Sequence, residues 1–116
     1  MTSKWIEGRQ TTAVDWFWRA LGVTVMRVTG DSMLPTLKAG QLVLVRRVKP
    51  QVNDIVVARH PHTAELIIKR VTKIEADGYW LEGDAHRPES AVSSSDSWVF
   101  GAVPREHIIG VARRLL

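Results

Sequence analysis

The chain contains no cysteine, which excludes a disulfide framework, a thiolate nucleophile and thiolate metal ligands, and leaves nothing to suggest an oxidising compartment. Any nucleophile must be a hydroxyl or an amine. Long apolar runs are missing too: residues 1–22, MTSKWIEGRQTTAVDWFWRALG, meet a charge every few positions, whereas a spanning helix needs about 20 predominantly apolar residues. The expectation is of no transmembrane anchor, no cleavable secretion signal and a cytoplasmic setting. Neither sign of charge dominates, with 16 Lys and Arg against 12 Asp and Glu. So mild a basic excess would suit an acidic partner without implying nucleic acid. The basic pairs Arg46-Arg47 and Arg113-Arg114 lack the aromatic interleaving and the recognised motifs of nucleic-acid binders, so no nucleic acid is expected as a partner.

What is present fits one domain. A chain of 116 residues with 45% hydrophobic content can bury one core but not two. Within residues 1–22, Thr12 and Asp15 have capping-box spacing, and Val14, Phe17, Trp18 and Leu21 follow the i, i+3, i+4, i+7 rule of a short amphipathic helix. That stripe can cover the domain's own core, or Trp5, Trp16 and Trp18 can meet a membrane surface or a substrate. From residue 23 to 116 the pattern changes. The segments VTVMRV, QLVLVRRV, DIVVARH, ELIIKRV, GYWLEGD and HIIGVARRLL recur between turn signals at Lys38 to Gly40, Pro50 to Asp54 and Asp77-Gly78. Short strands at this spacing predict a mainly β fold, an antiparallel, partly closed barrel or sandwich. Residues 86–97, HRPESAVSSSDS, read as the one long polar loop.

The stretch TGDSMLPTLKAG, residues 29–40, poses the chemical question. Ser32 could cap a helical turn that tolerates Pro35, or its hydroxyl could stand exposed at a strand-to-turn transition with backbone N–H groups nearby. A serine hydroxyl is a weak nucleophile without a base. His60 and His62 flank Pro61 in an apparent hairpin connection, and neither His86 nor His107 has a spacing that links it to Ser32. Lysine is the other candidate. Period-two alternation puts Lys69 on the face of Ile67 and Val71, and Arg70 on the face of Ile68. Burial disfavours an ammonium, so a lysine there can serve as a neutral amine base, unless it lies along an edge with its charge in water.

Four ordered stretches, GDSMLPTL (30–37), NDIVVA (53–58), IIKRV (67–71) and EGD…SSSDSWVFGAVP (82–104), resemble the boxes of the type I signal peptidase family of serine/lysine proteases. Among its members the chain is most similar to the small, anchorless ones that mature nickel-type superoxide dismutase. The resemblance implies a catalytic domain over residues 23–116, with Ser32 as nucleophile and Lys69 as general base. It further implies Ser94 as a hydroxyl orienting the lysine, Met33 and Pro35 as residues shaping the substrate cleft, and Gly83, Asp84 and Asp96 as structural supports. No metal or other cofactor is expected. The implied partner is a protein substrate with an N-terminal propeptide, a nickel superoxide dismutase precursor.

Two departures stand out. Gly30 occupies the place, two residues before the nucleophile, where signal peptidases commonly carry a hydroxyl that helps hold the oxyanion. The oxyanion would then rest on backbone N–H groups such as that of Ser32. Trp98 replaces the arginine expected to pair with Asp96. Three alternatives remain at this level: a membrane-associated signal peptidase with peripheral lipid contact, a self-cleaving repressor-type protease, whose family shares GDSM and KR, and a non-catalytic β module that binds an extended peptide.

Overall fold

A computed structural model describes residues 22–85 and 96–115. The expected N-terminal helix, His86 and Ser94 lie outside the described residues. Six strands form a single sheet: β1 (Val23–Arg27), β2 (Leu42–Arg46), β3 (Ile55–Arg59), β4 (Leu66–Glu75), β5 (Gly78–Glu82) and β6 (Ile108–Arg114). They lie in the order β1-β2-β6-β3-β4-β5, and every pairing is antiparallel. The sheet does not close, since β1 and β5 are its two edges. The mainly β, antiparallel expectation holds, and each of the six apolar segments becomes a strand. Among the described residues no helix is long and apolar enough to cross a membrane.

Alternation along the strands divides the core in two. One cluster gathers Met26, Val43, Val45, Val57, Ile68 and Ala112 with the turn residues Met33 and Leu37. The other gathers Val56, Ala58, Ile67, Val71, Val111, Tyr79, Leu81 and Val103. Neighbours in sequence such as Val56 and Val57, or Ile67 and Ile68, thus serve opposite faces, as a period of two requires. Both faces are apolar through β3, β6 and the first half of β4, which is why these strands read as continuous hydrophobic runs.

Two features are less visible in the sequence. β4 continues past Val71 through Thr72, Lys73 and Ile74, which are exposed, in a ribbon with β5 across the Asp77-Gly78 turn. A four-residue helix, α1 (Ser97–Phe100), follows the polar segment and covers the free side of β5. There the Leu81 N–H, which has no further strand to meet, donates to the Ser97 hydroxyl at 2.8 Å. Tyr79 and Val103 pair across the same edge. A sheet edge is blunted in this way by side-chain and short-bridge contacts rather than by another strand. Leu81 is fully buried at this junction. Leu81→Ala is expected to cost about 3 kcal/mol through lost burial and the cavity left behind, read as a lowered midpoint in chemical denaturation.

Candidate active site

Ser32 lies in the turn that carries the chain from β1 towards β2. The Leu34 N–H donates to the Asp31 carbonyl at 3.2 Å and the Leu37 N–H to the Met33 carbonyl at 2.9 Å. These bonds shape a compact turn rather than a helix that Ser32 would cap. Met33 and Leu37 are buried in the first core cluster and anchor the turn, while Pro35, after a cis Leu34–Pro35 bond, is exposed. Ser32 itself is half-buried. Among the described residues neither its hydroxyl nor its N–H makes a hydrogen bond.

Gly83 is the residue against which this turn rests. A Cβ placed on Gly83 would lie 2.5 Å from the Ser32 carbonyl oxygen and 3.2 Å from the Ser32 Cβ. Any side chain there would force the turn away, because one of the two crowded groups is backbone. Two residues on, the Ala85 N–H donates to the same Ser32 carbonyl at 2.9 Å. The segment after β5 therefore holds the nucleophile candidate in place.

Lys69 comes to this corner from β4. It stands opposite Val56 of β3, and the antiparallel register that sets Arg70 against Glu82 brings the next residue, Gly83, level with Lys69. Its side chain is only 2% exposed, on the face of Ile67 and Val71 that alternation predicts. Nζ lies 3.0 Å from Asp96 Oδ1, an ion-pair contact with angles outside those of a hydrogen bond. Among the described residues no atom accepts a hydrogen bond from it. The Asp96 oxygen also receives the Gly83 N–H at 3.3 Å. Gly83 is thus the common neighbour of Ser32 and of the Lys69–Asp96 pair, although the Ser32 hydroxyl and the Lys69 amine are not hydrogen-bonded to each other.

The sequence reading gave Asp96 a supporting place and noted that Trp98 stands where a pairing arginine would. Lys69 fills that vacancy as counter-ion. Trp98 points outward, 69% exposed, and meets Trp80 edge to face at 5.2 Å.

A second ion pair braces the opposite side of β4. Arg70 donates from Nε to Asp84 Oδ1 at 2.9 Å and from Nη2 to Oδ2 at 2.7 Å, and from Nη1 to the Asn53 carbonyl at 2.7 Å. The Thr36 hydroxyl donates to Asp84 Oδ2 at 2.6 Å. One carboxylate thus joins the nucleophile turn, β4 and the end of β5. The hydrogen bond from Arg70, helped by that from Thr36 and by the Arg70 charge, holds the Asp84 carboxyl below the ordinary carboxylate range against the opposing effect of burial. Sequence reasoning placed Asp84 as a support but did not find Arg70 or Thr36 as its partners. It also missed Ser97, although each follows or precedes a singled-out residue closely in the chain.

The histidines lie elsewhere. His60 and His62 sit in the β3–β4 connection, where His60 Nδ1 receives the His62 N–H at 3.0 Å and the His60 ring packs on Phe100. Among the described residues no group of three or more His, Asp or Glu side chains could hold a metal ion.

A lysine withdrawn from water, linked to a turn serine through Asp96 and Gly83, is a costly arrangement for packing alone. It is the combination on which serine peptidases lacking a histidine base are built. The chain belongs to the Peptidase S24-like family, whose model matches residues 3–100, and the activity this supports is of the serine-peptidase kind. No curated protein matches the chain.

The Asp84 bridge gives a sign for pH dependence. A carboxyl held below its unfolded value contributes stability that is complete above the ordinary carboxylate range and is lost as pH falls through the folded value. Asp84→Asn is expected to cost about 2 kcal/mol at neutral pH, the worth of the charged hydrogen bonds it weakens. Its deficit against the parent should shrink steadily as the solution is acidified. Denaturation midpoints of the two proteins across an acid series read this directly, and a deficit that stays constant would refute it.

Proposed function

We propose that the protein is a serine endopeptidase in which Ser32 is the nucleophile and Lys69 its general base. Its substrate is a precursor protein with an N-terminal propeptide, a nickel superoxide dismutase precursor in the reading that the sequence boxes favour. The observation that supports the proposal is that Gly83, which packs against Ser32, donates to the same Asp96 oxygen that the buried Lys69 amine contacts. The cytoplasm is the setting this reading assigns.

In this reaction the Lys69 amine, once its own proton has been released, takes the proton from Ser32 Oγ as that oxygen attacks the scissile carbonyl carbon. The carbonyl oxygen becomes an oxyanion. The Ser32 N–H, which has no acceptor among the described residues, is available to it, as the replacement of a hydroxyl residue by Gly30 requires. The tetrahedral intermediate expels the leaving amine, which receives the proton from Lys69, and leaves Ser32 acylated. Water deprotonated by the same lysine then attacks the ester and restores the serine. Ser94 is assigned the orientation of the lysine, a role for a residue outside the described ones. The missing hydrogen bond between Ser32 and Lys69 is compatible with this chemistry, because such contacts are often long without substrate and tighten in the reacting complex.

The precursor, incubated with the protein and followed by intact mass, should lose its propeptide. Ser32→Ala and Lys69→Ala should each lower the rate by at least about 1,000-fold, as removal of a nucleophile or its base does in serine peptidases. Propeptide loss that is unchanged in Ser32→Ala would defeat the proposal.

A second reading is favoured by the family match itself. GDSM and KR are shared with self-cleaving repressor-type proteases, so the bond attacked could lie in the protein's own chain. Incubation of the protein alone separates the two: a mass loss in the parent and none in Ser32→Ala would establish self-cleavage.

A further inference from the structure

We propose that the cleft beside the nucleophile turn binds an acidic stretch of the polypeptide substrate. The proposal rests on the peptidase reading for its substrate class, and on independent observations for its charge. The cleft encloses about 810 Å³ and is bounded on one side by Thr36 and Leu37, four and five residues after Ser32. Arg46, Lys49, Arg113 and Arg114 also line it. All four are exposed, and among the described residues none of them forms an ion pair.

The charge in this cleft is not balanced from within. Asp54 is the only acidic residue in its wall, and its carboxylate already receives the Gln51 N–H at 2.9 Å. Arg70, which also borders the cleft, is neutralised by Asp84. The β2–β6 register sets Arg46 against Val111 at one end of the paired stretch, and Arg113 against Leu44 and Arg114 against Val43 towards the other, so the cations are spread along the length of one cleft. Like charges so placed repel one another and add nothing to folding. A ligand bearing carboxylates relieves that repulsion.

Two features select a polypeptide over a nucleic acid. No aromatic side chain lines the cleft, so stacked bases would find no platform. The cleft also adjoins the turn that carries Ser32, with the Thr36–Asp84–Arg70 bridge as the wall between them. An extended chain lying across Ser32 would reach it by passing over that bridge, since Thr36 is only four residues beyond Ser32. Carboxylates of Asp and Glu on one side of the cleaved bond would meet Arg113, Arg114 and their neighbours, which makes these residues determinants of which substrates are taken.

The test uses a fluorescent oligoglutamate and the full chain, read by anisotropy. The parent should bind it, and more weakly as salt is raised from about 50 to about 300 mM. Arg113→Ala with Arg114→Ala should weaken binding about tenfold. Arg59→Ala with Arg105→Ala removes the same charge from outside the cleft and should change it by less than about twofold. Parent protein that binds oligoglutamate in this way yet removes no propeptide would count against the peptidase reading alone. The proposal is overturned if oligoglutamate does not bind, if the control pair weakens binding as much as the cleft pair, or if short duplex DNA displaces the peptide at concentrations below those at which the peptide itself binds.

Discussion

A single lysine sets the terms for this structure. Lys69 is almost entirely withdrawn from water among Val56, Ile67 and Val71, a position that would be expensive for an unaccompanied ammonium. Among the described residues Asp96 is the acidic group that comes within reach of it, 3.0 Å away. To bring Asp96 there, the chain must return to the edge of the sheet after β5 and dock Ser97 on the Leu81 N–H. The short helix, the covered edge of β5 and the Gly83 contact therefore share one origin. The pair is not a source of stability in itself, since a well-packed apolar residue in place of a buried ion pair is often as stable or more so. Its retention makes better sense as chemistry than as packing.

The alternation of β4 gives its two consecutive cations separate duties. Lys69 faces the second core cluster and takes Asp96, whereas Arg70 faces the other way and takes Asp84. Asp84 and Asp96 bracket the polar stretch of the sequence that contains Ser94. Both ends of that stretch are consequently fixed to adjacent residues of one strand, from opposite faces of the sheet. The Thr36 contact with Asp84 then extends the brace to the nucleophile turn. If Ser32 is the nucleophile, as proposed, a braced frame of this kind positions its hydroxyl better than a free loop would, because small errors in alignment are costly to rate.

What the sequence reveals follows from how local each feature is. The six strands are visible because apolar runs and turn residues lie next to one another in the chain. The inward direction of Lys69 is visible because a period of two fixes it from Ile67 and Val71 alone. The contacts of Arg70 with Asp84 and of Thr36 with Asp84 span 14 and 48 residues, and no local pattern encodes them. The Asp96 partner is hidden for a different reason. Trp98 in place of an arginine leaves Asp96 without its expected counter-ion, but only the fold brings Lys69 close enough to replace it. Gly83 stands in a recognisable box, yet its need to be glycine comes from space and not from backbone angle, since the Ser32 carbonyl lies where a Cβ would go.

The distribution of charge completes this separation. Around Lys69 and Arg70 each cation has its own carboxylate, and the geometry is specific. Along β2 and β6 the exposed cations Arg46, Arg113 and Arg114 line a cleft and form no ion pair among the described residues, so their attraction for a charged partner is long-ranged. Paired charges hold atoms in place, while unpaired charges attract a partner from solution and orient it before contact. The peptidase and the peptide-binding cleft proposed above would draw on both kinds, one to align a serine and the other to select an extended chain. Here the Thr36–Asp84–Arg70 bridge lies at the boundary between them, so it can brace the turn on one side and wall the cleft on the other.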